Sequence, residues 1–475
     1  MSLPAKKIFQ MIDQERFAEA SGDLNPMHRD PLAARRTQMG VPVVHGMHAL
    51  LLCLDFFAQT STDLSSISAI NANFLNPIYM GDQVDFEVLR LNPLCLAASV
   101  EGIKVLTIEM TFGSRAKFDT TNPSAAKKIK KKKKPVEFSF KDIEVSCGVK
   151  KRITMSTAAA EMFPNASNWI GSRTVQALAA LSRIVGMECP GLHSIFLGFS
   201  INLITEGPDS QMEFSVLSTD FRFKRVKLGI IGGGVNGVVE AAMRVPPVLQ
   251  PSLQKIATKV KTRSFANQRV LIIGGSRGIG EYVGKVIVAG GGHVTLTYKS
   301  GIVEARALLN EITEYGGKAD IMAYDARLPA AAQLKKLKKT PTHVYYFATC
   351  PIFRRRTNEF DSSAYAEFQQ FYVTGFYELC SALHKITQRF SVFYPSSVAV
   401  ALEGRPKGMT EYAMAKAAGE ILCADMRWIV PGVEVTVKRL PRLLTDQTAT
   451  IRPVAREKSM HVLLPMIFKM QRSTD

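Results

Sequence analysis

The chain has 475 residues, 46% hydrophobic and 21% charged, with a net charge of +19. That length suffices for two or three domains, and the composition excludes a disordered or fibrous chain. No apolar run reaches the roughly 18 residues of a membrane span, and the seven scattered cysteines form no CxxC pair, which excludes a zinc ribbon or a redox couple.

The opening residues, MSLPAKKIFQMIDQERFAEA, lack the apolar core and cleavage site of a signal peptide. With free thiols, this predicts a reducing, cytoplasmic location. The first predicted block covers residues 1–115. Its polar chemistry is concentrated in SGDLNPMHRDPLAARRTQMGVPVVHGM (Ser21–Met47), directly before an apolar run that reads as a buried helix. Asn25-Pro26 predicts a turn, and a turn brings Asp23 and His28 toward one point. A carboxylate beside an imidazole raises its basicity and fixes its tautomer. Such a pair suits addition or removal of water across a double bond. Gly46 opens the apolar helix. The unpaired amides of a helix start favour negative charge on a carbonyl oxygen, and a missing Cβ lets that oxygen approach. His45 is read as ordering the loop and His48 as a packed helix residue.

Residues 116–135 contain KKIKKKKKP, read as a solvated linker; an electrostatic dock for an acidic partner stays open. No nucleic-acid motif accompanies the charge, so nucleic acid is not an expected partner. The next block, 136–253, reads as a diverged copy of the first. Ser65–Leu91 and His193–Thr219 align at a constant shift of 128, through Ser66/Ser194, Phe86/Phe214 and Leu89/Leu217. Each copy predicts a long apolar helix wrapped by alternating strands, and the second adds two strands around a glycine-rich turn. The second copy has Arg173 and Thr174 at the places of His45 and Gly46 and lacks Asp-x-Asn-Pro-x-His. Its expected role is structural. Glu188 and His193 are weighed as a replacement pair and read instead as core or surface residues. The prolines of VPPVLQPSL end this block, and 254–268 reads as a basic connector.

The last block, 269–475, opens with a strand, a glycine-rich turn, a helix and a second strand. In such a βαβ unit Gly274 permits the tight turn, Gly278 the approach of a pyrophosphate, and Gly280 close helix packing. Ser276, Arg277 and Ile279 belong to the same loop. Arg277 and Lys299 place positive charge where an adenosine 2′-phosphate lies, which favours NADPH over NADH. Asp325, after the third strand, is positioned to contact the adenine. Tyr412 and Lys416, four residues apart, share a helix face, and an ammonium beside a phenol lowers its pKa. That makes Tyr412 a workable proton donor to a carbonyl receiving hydride, and Ser397, or Ser396, is the hydroxyl expected to hydrogen-bond that carbonyl.

The stretch FAEASGDLNPMHRDPLAARRTQMGVPVVHGM closely resembles the hydratase 2 signature of MaoC-like, (R)-specific enoyl-thioester hydratases and dehydratases, which have the hotdog fold. The resemblance implies that Asp23 and His28 are the catalytic pair and that Gly46 donates an amide to the thioester. Residues 268–450, with GGSRGIG and Tyr-x-x-x-Lys, resemble short-chain dehydrogenase/reductases, the 3-oxoacyl-thioester ketoreductases being the nearest subgroup. This resemblance implies Tyr412 as acid, Lys416 as the group that orients the cofactor ribose and tunes Tyr412, and Ser397 as the substrate-positioning hydroxyl. Four positions depart from the pattern. FATC (Phe347–Cys350) replaces Asn-Ala-Gly, and Tyr372 stands where the tetrad has asparagine. Ser397 lies 15 residues before Tyr412, and Pro441-Arg442 replaces Pro-Gly.

The expected architecture is an α+β double hotdog followed by an α/β doubly wound Rossmann domain, without a metal. The expected activity is a paired ketoreductase and dehydratase in fatty-acid or polyketide-like assembly. It would act on acyl thioesters of acyl carrier protein or coenzyme A, in a homodimer. Arg354, Arg355 and Arg356 are read as a solvated face, with carrier docking open. The alternative is an acyl-thioester scaffold with dehydratase activity only and a nucleotide-sensing third domain.

Overall fold

The apolar run after His45 forms the helix Gly46–Thr60, buried on nearly every side, including Leu50, Leu51, Cys53, Leu54 and Phe57. A helix apolar all round belongs inside a protein. Its one buried acid, Asp55, accepts from the Ala166 amide (2.9 Å) and the Asn165 side chain (3.1 Å). The computed structural model describes residues 5–61, 66–116, 127–128, 133–205, 210–353, 359–450, 457 and 459–472. Arg354, Arg355 and Arg356, and most of the lysine run, lie outside them.

The chain divides into two compact units, the first over residues up to 246 together with Thr450, and the second over the other described residues from 247 onward. In the first unit an 11-stranded sheet surrounds the core. Its strands are β1 (Ala5–Ile8), β2 (Ile67–Phe74), β3 (Gln83–Leu91), β4 (Leu94–Val100), β5 (Ile103–Phe112), β6 (Lys127–Lys128), β7 (Lys151–Thr154), β8 (Ser194–Leu203), β9 (Gln211–Asp220), β10 (Arg225–Gly232) and β11 (Val235–Met243). The spatial order is β1-β3-β4-β5-β2-β8-β11-β10-β9-β7-β6. Two antiparallel halves meet at β2 and β8, in the register Ile70↔Ile201 and Ala72↔Phe199. Gly198 sits at that seam, where a Cβ would lie 2.4 Å from the Ala72 carbonyl oxygen.

The shift of 128 carries into the structure. β3 and β9 begin at Gln83 and Gln211, and Val84 and Phe86 are buried as Met212 and Phe214 are. The helix Ser172–Arg183 answers the helix Gly46–Thr60. Two expectations change. Lys127 and Lys128, expected in a solvated linker, pair in parallel with Lys151 and Arg152 at the sheet edge. Backbone pairing needs no apolar side chain, and an edge strand tolerates lysine. Asn25-Pro26 starts a one-turn helix, Pro26–Arg29, and not an open turn. Proline at the first helical position and an asparagine cap, whose Oδ1 accepts from Met27 N at 3.1 Å, both favour a helix start.

The second unit is built on a parallel sheet of β12 (Arg269–Ile273), β13 (His293–Tyr298), β14 (Lys318–Ala323), β15 (His343–Tyr346), β16 (Phe390–Ser397) and β17 (Val433–Leu440). Their order, β14-β13-β12-β15-β16-β17, reverses direction between β12 and β15. Ligands bind doubly wound sheets at such a switch point. The connector expected at 254–268 is part of this unit's core. Leu253, Ile256, Val260 and Phe265 are buried against Val283, Val286 and Ile287, since apolar spacing of three, four and five residues makes one side of that segment a packing face. Among the described residues no helix is long and apolar enough to cross a membrane.

Candidate active sites

In the first unit Asp23 follows the helix Met11–Ser21, which Gly22 ends in the left-handed conformation (φ 77°). The carboxylate turns inward and is 2% exposed. Its Oδ1 accepts from the Asn25 amide (3.1 Å) and its Oδ2 from the Ser182 hydroxyl (2.7 Å). His28 lies on the one-turn helix, and its Nδ1–H donates to the Val43 carbonyl at 2.8 Å. A carbonyl only accepts, so the neutral ring carries its free lone pair on Nε2. Asp23, His28 and His45 each offer a ligand-type atom within 4.8 Å of the others. The rings of His28 and His45 stack at 3.8 Å and 26°.

A cavity of about 250 Å³ opens here, lined by Asp23, His28, Gly46, Phe74, Ser182 and Gly186 among others. Burial raises Asp23, against the pull of His28 and the Ser182 hydrogen bond. Burial lowers His28, against the pull of Asp23 and Val43. The two shifts run toward each other, which eases passage of a proton between the groups. Gly46 begins the helix at the cavity wall, and a Cβ there would lie 2.8 Å from the Phe74 ring. Gln14, fully buried, accepts from the His45 amide (3.0 Å) and contacts His45 Nδ1 (2.9 Å) and His48 Nδ1 (3.2 Å). His48 stacks on Phe17 at 4.8 Å, and burial lowers it to about 3. It is the packed residue expected from the sequence.

In the second unit Gly274 (φ 80°) turns the chain off β12, and a Cβ there would lie 3.0 Å from the Phe347 backbone. Gly278 (φ 60°) opens the helix Gly278–Ala289, with nothing within 4 Å of a Cβ placed on it. Gly280 packs so closely that a Cβ would lie 2.2 Å from the Gly274 oxygen. Thr297 of β13 anchors the loop, accepting from Gly274 N through Oγ1 (3.0 Å) and from Gly275 N through its carbonyl (2.9 Å). Ser276 and Ile279 are half-buried on the same loop. The expected phosphate cations are not idle: Arg277 pairs with Asp446 (3.0 Å) and Lys299 with Asp325 (3.3 Å). Asp325 also holds Arg327 (2.9 Å). Burial pushes Asp325 up, but Arg327 and Lys299 outweigh it and hold it at about 2.

Tyr412 and Lys416 share one face of the helix Thr410–Ile429. Ser397 lies beside Tyr412, where it opposes the rise of the phenol pKa. Ser396 bonds Glu420 instead, so the choice between the two serines falls on Ser397. Lys416 donates to the Pro395 carbonyl (2.6 Å), and burial lowers it to about 7. Tyr412 is pushed up to about 12 by burial, with Ser397 opposing. The fall expected from Lys416 is therefore reversed here, because desolvation of a phenol nine-tenths buried exceeds what its neighbours return.

Residues 5–106 match the family model of the MaoC like domain. The N-terminal part of the chain is a MaoC-like domain. Over 83 residues it is 35% identical to an (R)-specific enoyl-CoA hydratase of Aeromonas caviae, covering 17% of this chain and 62% of that protein. Over 78 residues it is 31% identical to a protein of Dictyostelium discoideum described as "Probable enoyl-CoA hydratase 2", covering 16% of this chain and 26% of that one. The chain thus spans less than two thirds of either relative's length. A short chain dehydrogenase from Burkholderia cenocepacia J2315, solved in complex with NADP, aligns with 19% identity and a TM-score of 0.39, over 44% of this chain and 91% of that one.

The MaoC-like domain does not build its candidate site alone. Ser182 and Gly186 come from the following segment, 136–246. Gly186 sits in a π-helical turn, Ile184–Glu188, and a Cβ on it would lie 2.3 Å from Asp23 Oδ1. Asn25 ties this turn down by donating to the Gly186 carbonyl (2.9 Å). The sequence marks RIVGMECPG only as a helix-to-strand turn; the glycine within a helical pattern was the available signal. Glu188 and His193 have different partners, Arg183 (3.5 Å) and Glu137 (3.0 Å), so they form no acid–base pair with each other. Gly186→Ala is expected to displace the Asp23 carboxylate and, on a reading of this site as a hydratase, to slow hydration of an enoyl thioester by about 100-fold. Loss of enoyl-thioester absorbance measures it, and an unchanged far-UV circular dichroism spectrum separates the effect from unfolding.

Proposed function

We propose that the first unit adds water to, or removes it from, an acyl thioester, and that the second unit is a short-chain dehydrogenase/reductase using NADPH. The observation that carries the first reading is the convergence of Asp23 and His28 on a cavity walled by the Gly46 helix start. In the hydration direction a water molecule between the pair gives a proton to His28 Nε2. Its oxygen bonds to C3, the C2–C3 double bond becomes single, and the pair returns a proton to C2. First-turn amides of the Gly46 helix hold the carbonyl oxygen as charge gathers on it. Dehydration is the reverse. Residues 136–246 form the second lobe of a double hotdog in this reading, supplying Ser182 and Gly186 but no dyad.

In the second unit the glycine cradle, open at Gly278 and facing the amides of a helix start, fits a dinucleotide pyrophosphate. NADPH supplies the hydride when bound. Arg277 and Lys299, paired here with Asp446 and Asp325, would hold its 2′-phosphate, and Lys416 would hold its ribose. Ser397 holds the substrate carbonyl, and Tyr412 gives its phenolic proton to that oxygen. The two reactions run in sequence, from 3-oxoacyl to 3-hydroxyacyl to 2-enoyl thioester, in fatty-acid or polyketide-like assembly. Acyl carrier protein and coenzyme A both present the required thioester. The test is mass analysis of products from 3-oxoacyl thioesters on both carriers, with NADPH and with NADH. Hydroxyacyl and enoyl products with NADPH are expected; no reduction on either carrier would leave a dehydratase with a nucleotide-sensing domain.

A further inference from the structure

Tyr372 stands where the reductase pattern has asparagine, and the structure gives its ring a partner. Lys416 Nζ lies 3.7 Å from the centroid of the Tyr372 ring and 5.0 Å from that of Tyr394. Tyr372 is 1% exposed and Lys416 5%, so the cation meets these rings out of water, where the attraction of an ammonium to an aromatic face is strongest. The Tyr372 ring is itself fixed. Its hydroxyl shares a 2.5 Å hydrogen bond with Thr349, its backbone carbonyl accepts from the Tyr394 hydroxyl at 3.0 Å, and Phe368 stacks on it at 5.9 Å and 8°. A π-helical turn, Gln370–Thr374, carries it. Gly419 is what lets the Tyr394 hydroxyl reach that carbonyl, because a Cβ there would overlap the hydroxyl oxygen.

We propose that Tyr372 is a positioning residue whose ring face, together with that of Tyr394, holds the Lys416 ammonium in place. This rests on the reading of the second unit as a reductase. The titratable and charged groups facing Lys416 are Glu420 and Cys423 on its own helix, Cys350 after β15, and Tyr372, Tyr394 and Tyr412. Glu420 is engaged by Arg439 of β17 (2.7 Å) and by Ser396. Phe368, the residue that packs here from the helix Ser362–Gln369, carries no charge. The Pro395 carbonyl, the two ring faces and the Glu420 carboxylate, itself tied to Arg439 and Ser396, are the contacts that favour the charged lysine.

A ring face stabilises the ammonium, so removing it lowers the lysine pKa. Activity that needs the ammonium is then lost at lower pH. The full chain labelled with 15N-lysine, with Lys416→Gln to assign the signal, reports the titration without any cofactor. Tyr372→Leu is expected to move the Lys416 titration down by about one pH unit, and Tyr372→Phe to leave it in place. The alkaline limb of NADPH-dependent reduction should follow by the same amount. Should Tyr372→Leu lose its far-UV circular dichroism, Tyr372→Met refills the volume without a π face. An unmoved titration in the leucine or methionine variant, or an equal shift in Tyr372→Phe, overturns the proposal. If wild type turns over no 3-oxoacyl thioester, the reductase reading falls, while the lysine titration still decides the role of Tyr372.

Discussion

His28→Ala is expected to lower enoyl-thioester hydration by between about 10² and 10⁴, the usual contribution of a positioned acid–base group. Asp23→Asn should cost a similar factor for a different reason. The asparagine keeps the shape and an oxygen for the Ser182 hydroxyl, which is 2.7 Å from Asp23 in the native site, but it cannot take or return a proton. It also removes a buried ionisable group whose pKa burial has raised. Its thermal midpoint should therefore stay near the wild-type value even as turnover collapses. NADPH-dependent reduction in the same chain is the internal control, because the candidate groups of the two reactions belong to different compact units. Equal loss of both reactions in either variant would contradict separate sites.

Tyr412→Phe carries the second large effect. It removes one oxygen from a buried phenol that lies beside Ser397 and packs edge-to-face with Phe368 and Tyr372. The ring contacts survive, so the fold and NADPH binding should survive, measured by quenching of protein fluorescence on titration. Reduction of a 3-oxoacyl thioester should fall by at least about 10², the usual contribution of a positioned proton donor. Retained reduction in this variant would move the acid elsewhere in the unit. Loss of NADPH binding together with turnover would make Tyr412 a packing residue.

The elements legible in the sequence were those set by short-range chemistry. Asp23, His28 and Gly46 lie within 24 residues, so a cap, a proline and a helix start suffice to bring them together. The glycines of 274–280 were legible for the same reason, since their backbone angles and close approaches are local demands. The connector at 254–268 was misread because its lysines and arginines alternate with apolar residues whose partners, such as Val283 and Ile287, are fixed only on folding. Arg277 precedes the helix Gly278–Ala289, Lys299 follows β13 and Asp325 lies two residues past β14, but their ion pairs depend on charges up to 169 residues away in sequence.

Local order therefore fixes the two chemistries proposed for this chain, one acid–base pair before a buried helix and one Tyr-x-x-x-Lys helix behind a glycine turn. Long-range packing settles how each group is tuned. Ser182 and Gly186 reach Asp23 from some 160 residues downstream, and the Tyr372 ring meets Lys416 across two elements. The reason is physical: hydrogen bonding and backbone geometry act between near neighbours in the chain, whereas desolvation, which sets the direction of the Asp23, His28, Tyr412 and Lys416 shifts, depends on everything that surrounds the group once water has gone.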